Sequence, residues 1–183
     1  MATYNKNIST DFSGKYNPNR WKQEIEDSGF TPVLIDVDDD NTTAIATFDS
    51  TLSGGEITTF DAIPATHSLA EAKFVKNKEI DMRTKELIDD GFVSGAKTYS
   101  ASILSKLKWT ELYNRRDSMS YPFYVQTKDD SESIDMVNAA GIVTIYNDMS
   151  DTLIGHVKSG AALKKDVIDA TDIAGVDAVT DAR

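Results

Sequence analysis

Between Ser68 and Gly91 the chain holds neither glycine nor proline, and this run constrains the fold more than any other. Ser68-Leu-Ala-Glu71 has the spacing of a capping box, in which a hydroxyl and a carboxylate each accept from the other residue's amide. Leu69, Ala72, Val75, Ile80, Leu87 and Ile88 follow, and Asp89-Asp90-Gly91 is a stop signal. The pattern predicts a helix of about twenty residues. Its apolar face is narrow and the rest is rich in lysine and glutamate, as in helices that connect units or pack on a partner chain. A connecting helix over 68–91 leaves 1–67 as an N-terminal arm with a small α+β unit. It leaves 92–183 as a second α+β unit.

Residues 1–19 are rich in Asn, Ser, Thr and Lys, with isolated Tyr4, Ile8, Phe12 and Tyr16. Two readings stand: a loosely packed terminus, or an arm that orders on a neighbouring subunit. Pro18 starts a helix over Asn19 to Ser28, with Trp21 and Ile25 on one side and Gly29 as its stop. Phe30–Val37 and Thr42–Phe48 read as strands joined by the turn Asp38–Asn41, a hairpin with an acidic tip. Ser53 and Glu56 have capping-box spacing, and Ile57, Phe60 and Ile63 form one face of a short helix. Pro64 is expected to end or kink that helix near Ile63.

In the second half, Phe92–Tyr99 reads as a strand or a hairpin turning at Gly95. Ser100 or Ser102 caps a helix to about Asp117, whose buried positions are expected to be Ile103, Leu104, Leu107, Leu112 and Tyr113, with Trp109 beside them. Tyr121–Thr127 and Glu132–Val137 form a further hairpin. Asn138 caps a long helix over Ala139 to Ala170, in which Gly141, Gly155 and Gly160 mark close helix approach or a break near Ser159-Gly160. Asp172–Val179 is a short terminal helix. The fold class is therefore α+β: two small units of short antiparallel strands and helices joined by a long helix, with a long C-terminal helix.

The formal net charge is −11, with 9 basic and 17 acidic residues in 1–91 against 10 and 13 in 92–183. Such a balance disfavours nucleic acid, whose phosphates it repels. The acidic half is either a solvated face or a surface for a basic partner. No run of about 18 apolar residues is present, so no membrane span is expected. MATYNKNIST lacks the apolar core of a secretory signal. With no cysteine, disulfides, thiolate metal sites and a catalytic thiol are excluded, which fits assembly in a reducing compartment.

Asp36, Asp38 and Asp40 match the first three ligand positions of an EF-hand loop. The glycine and glutamate that such a loop needs further on are replaced by Asn41 and Thr47. An acidic hairpin tip, with no metal, is the expectation. The two histidines, His67 and His156, show no paired metal spacing. No G-x-S-x-G is present, and no phosphate-loop lysine follows Gly54-Gly55. Ser53, Glu56, Asp61 and His67 lie close in sequence, but the capping box gives the first two structural roles. No catalytic residue, cofactor-binding residue or cofactor is predicted, and the chain reads as not an enzyme.

Two stretches carry a family resemblance. Phe48, Asp49, Leu52, Ser53, Glu56, Phe60, Asp61, Ile63 and His67 form a pattern similar to a segment of tail-region structural proteins of tailed bacteriophages. Pro64 departs from the uninterrupted helix which that resemblance implies. Over about 75–171, the order strand, helix, hairpin, long helix resembles an uncharacterised α+β domain found at the C-terminus of phage tail-fibre and baseplate-associated proteins. Trp109, His156, Lys164 or Lys165, Ile168, Ala170 and Thr171 carry that match. The resemblance implies a virion structural protein of the tail, in the baseplate or fibre-attachment region, assembled in the host cytoplasm. It implies a homo-oligomer, trimer favoured, whose partners are other tail, baseplate or fibre proteins. A tail-fibre assembly chaperone and a head or neck decoration protein are the alternatives.

Overall fold

The computed structural model describes residues 1–183. In chain order the elements are β1 (Ala2–Asn7), α1 (Pro18–Asp27), β2 (Leu34–Val37), β3 (Thr43–Phe48), α2 (Gly54–Asp89), β4 (Phe92–Ser94), β5 (Lys97–Tyr99), α3 (Ile103–Arg115), β6 (Phe123–Gln126), β7 (Ser133–Met136), α4 (Ala139–Asp169) and α5 (Ile173–Ala178). The fold is α+β, about half helix, with small antiparallel sheets and a long C-terminal helix. No helix is long and apolar enough to cross a membrane.

The chain forms two compact units, 1–78 with 166–183, and 79–165. The sequence placed the divisions at 67/68 and 91/92 and assigned 166–183 to the second unit. The differences have two local causes. Helix α2 starts at Gly54, so the stretch after His67 continues an element of the first unit. The residues beyond Asp166 pack near the start of the chain and α2: Thr171–Ala174 share a groove with Thr10, Asp11, Ser13 and Ala65. The Lys73 ammonium also donates to the Ile168 carbonyl at 2.7 Å.

The first unit is built on a three-stranded antiparallel sheet, order β1-β3-β2. Ala2 pairs with Phe48, Asn7 with Thr43, and Leu34 with Thr47. The central strand alternates, so Ala44, Ala46 and Phe48 turn inward. They meet Trp21 and Ile25 of α1, Phe60 and Ile63 of α2, and Phe12. Residues 2–7 are therefore neither a loose terminus nor an arm on another subunit. Backbone pairing with β3 makes a strand of a polar segment, and Tyr4 packs on Phe48 and Phe60 at 5.7 Å. Phe12 is fully buried. β2 begins at Leu34 and not at Phe30; Pro32 lies between them, and Phe30 joins the core from outside the strand.

Helix α2 runs through Pro64, against the expected end at Ile63. A proline inside a helix removes one ladder bond, here the one to the Phe60 carbonyl. Ile63, Pro64, His67 and Ser68 are buried together, which holds the helix across the gap. Ser68 is mid-helix and caps nothing: its hydroxyl donates to the Pro64 carbonyl at 2.8 Å.

In the second unit, hairpins β4–β5 and β6–β7 pack with α3 and the first half of α4. Phe92, Tyr99 and Trp109 form an aromatic trio, and Val125, Met136, Ile142, Ile145 and Met149 complete the core. The Lys128 amide donates to the Thr98 carbonyl at 2.9 Å, tying one hairpin to the other. Of the two candidate caps, Ser102 is the one that accepts from the Ser105 amide. Asn138 accepts from the Gly141 amide at the start of α4, which runs to Asp169 with no break at Ser159-Gly160.

Candidate functional site

The corner at Thr42–His67 holds the densest set of chemically able residues. The Ser53 amide donates to the Glu56 carboxylate at 2.7 Å, and the Glu56 amide faces the Ser53 hydroxyl at 3.4 Å, a capping box as the sequence predicts. The Ser53 hydroxyl and amide hold the Glu56 carboxyl below its usual range. Asp61 pairs with the Lys6 ammonium at 2.5 Å. His67 is fully buried between Phe12 and Tyr16. Its Nε2 accepts from the Asn17 amide at 3.0 Å. The hydrogen therefore sits on Nδ1, which donates to the Glu24 carboxylate at 2.8 Å. The fold does not gather the four residues into one site: Ser53 and Glu56 bond to each other in the capping box, while Asp61 and His67 have partners elsewhere. Glu24 and Lys6 are partners that sequence reasoning missed, because 43 and 55 residues separate them from His67 and Asp61.

The acidic tip resolves in the same direction. Asp38 accepts from the Thr42 and Thr43 amides at 2.7 and 2.9 Å and from the Thr42 hydroxyl at 2.8 Å. These bonds, the Thr43 amide first, lower its carboxyl to about 2. Asp36 accepts from the Val37 amide. No three histidine or carboxylate side chains converge as a metal site would require. The β6–β7 turn repeats the device: Asp129 accepts from the Ser131 hydroxyl and amide and the Thr127 hydroxyl, which bring it down to about 2.

The residues that carry the second resemblance are spread through the fold. Trp109 is in the core of the second unit. His156 lines a groove of about 400 Å³ with Leu87, Gly91, Phe92, Val93 and Thr152. Lys164 pairs with Asp81. Ile168 is exposed, and Thr171 lies in the groove near Thr10.

The surface is where the sequence misled most. Ile103, Leu104 and Leu107 were expected to be buried; they are 73%, 78% and 62% exposed. Trp109 takes the inward side of α3, with Leu112 and Tyr113 half-buried beside it. Helix α3 is apolar on both sides, so spacing alone does not reveal which side is covered. A second exposed apolar pair, Val33 and Leu34, lies at β2. Charge divides unevenly as well. The first unit holds 8 basic and 17 acidic residues (−9), the second 11 and 13 (−2). Comparison of the chain with protein-family models, curated proteins and solved structures finds no match.

Proposed function

We propose that the chain is a non-enzymatic structural protein of a bacteriophage tail, in the baseplate or fibre-attachment region. It acts through contacts with copies of itself and with neighbouring tail proteins. One observation carries the reading: α3 turns Ile103, Leu104 and Leu107 to water on a helix whose other side already fills a core. A row of large apolar side chains left in water favours a protein partner. The resemblances of Phe48–His67 and of residues 75–171 to phage tail proteins supply the setting. The side chains that resemble catalytic groups in sequence have structural partners, His67 with Glu24 and Asn17, and Asp61 with Lys6.

Mass spectrometry and a reconstruction of purified virions test the reading. The expected result is a fixed copy number at the tail, with α3 covered by another chain. Absence from particles together with a monomeric state in solution would overturn it. Presence during assembly and absence from mature particles would replace it with the chaperone alternative.

A further inference from the structure

The chain exposes two surfaces that are both apolar and opposite in charge. The first is the outward side of α3. Ile103, Leu104 and Leu107 share one helix side and are each at least 62% exposed, a contiguous apolar row of the kind that serves as a contact. Residues 103–116 hold four basic side chains and one acidic, on a chain of net charge −11. Arg115 and Arg116 are engaged by Glu111 and Asp117. Lys106 and Lys108 form no ion pair, although the Lys106 charge acts on Asp89 and Lys108 lies over the Trp109 ring.

The second surface is the outer edge of β2. This strand has β3 on one side only, so its other edge leaves backbone groups open to pairing or cover. Val33 and Leu34 are 50% and 52% exposed there, in a groove that Pro18, Asn19 and Lys22 of α1 also line; Lys22 faces Glu26 of its own helix at 3.9 Å. Just beyond the strand, Asp39 and Asp40 are exposed, while Asp38 is occupied within the turn.

We infer that the α3 face of one copy docks on the β2 edge of a second copy, apolar side chain on apolar side chain and lysine on aspartate. Charge selects this pairing. Docking α3 on α3 would oppose lysines, and β2 on β2 would oppose aspartates. The two surfaces differ, so the contact is head-to-tail, and such contacts close into rings or continue as filaments. The choice of a second copy as occupant rests on the oligomeric reading proposed above. The test uses purified protein and no virions, so either inference can fail alone.

Sedimentation velocity on the full chain at low salt and at about 0.5 M salt supplies the measurement, with circular dichroism as a check on folding. The wild type should associate, and less so at high salt. Leu104→Ser with Leu107→Ser, Lys106→Glu with Lys108→Glu, and Asp39→Lys with Asp40→Lys should each raise the dissociation constant at least about tenfold. Joining the two charge reversals in one chain should restore association. A monomeric wild type, association indifferent to both reversals, or a combined variant that stays dissociated while folded would each overturn the pairing.

Discussion

His67 joins three segments: its own helix, the Asn17 cap of α1, and Glu24 within α1. Removing the ring strands the Asn17 amide and the Glu24 carboxylate in a part-buried place and opens a cavity beside Phe12 and Tyr16. His67→Ala should lower stability by about 3 kcal/mol in urea unfolding, and a variant within about 0.5 kcal/mol of wild type would refute this role. Tyr16 is the counter-example. Its hydroxyl is buried without a partner, and burial, with the Asp36 charge, pushes its phenol up to about 12. The folded chain holds that proton while the unfolded chain loses it near pH 10. Tyr16 thus adds no pH dependence below about 10 and costs stability as pH climbs from there towards 12. Tyr16→Phe should leave stability at pH 7 unchanged or slightly raised and should flatten the alkaline limb of the unfolding profile. Asp38 and Asp129 act at the other end. Their carboxyls, near 2 instead of the usual 3.8, stabilise the two turns above pH 4. That contribution fades as pH falls from 4 through 2. Asp38→Asn should remove part of the acid limb, read by unfolding at pH 2 to 5.

Among the elements, three helix starts were legible in local signals, whereas the capping-box spacing at Ser68–Glu71 misled, because Ser68 lies inside α2. Pro18 opens α1, Ser53 and Glu56 open α2, and Asn138 opens α4. Each signal lies within four residues, and no distant partner alters it. Elements decided by distant partners were not legible. β1 exists because β3 pairs with it, although its residues are polar. The Pro64 gap is bridged because the surrounding helix is buried. The outward side of α3 is set by Trp109 docking on Phe92 and Tyr99, which the apolar spacing of α3 does not encode. The α2–β4 junction shows how little latitude one position has. Gly91 has φ +91°, and a Cβ there would lie 2.2 Å from the Tyr99 carbonyl oxygen. Gly91→Ala should cost about 2 to 4 kcal/mol, seen as lost hydrogen-exchange protection in β4 and β5.

At the scale of the molecule, each unit holds one tryptophan, Trp21 in the first core and Trp109 in the second. That allows the units to be followed separately. A chain ending at Lys165 lacks Val167 and Val176, both buried. In a Trp109→Phe background, this truncation should lower the urea midpoint reported by Trp21. In a Trp21→Phe background, it should leave the midpoint reported by Trp109 nearly unchanged. Equal losses at both probes would show that residues 166–183 support the whole chain and not the first unit. The sequence assigned these residues to the second unit together with the rest of α4, whose last turn they begin in. Membership is set by packing, and adjacency along the chain is a poor guide where one unit is inserted within another.

That insertion has a consequence for synthesis. A ribosome delivers residues 79–165 in full before it delivers 166–183. The inserted unit therefore has all its residues first, and the enclosing unit waits for its last piece. Folding of the sheet unit is then coupled to the delivery of residues 166–183. A prematurely ended product would display the α3 face on a sound second unit while its β2 edge stood on an unfinished one. Such a product would act as a chain terminator in any head-to-tail array.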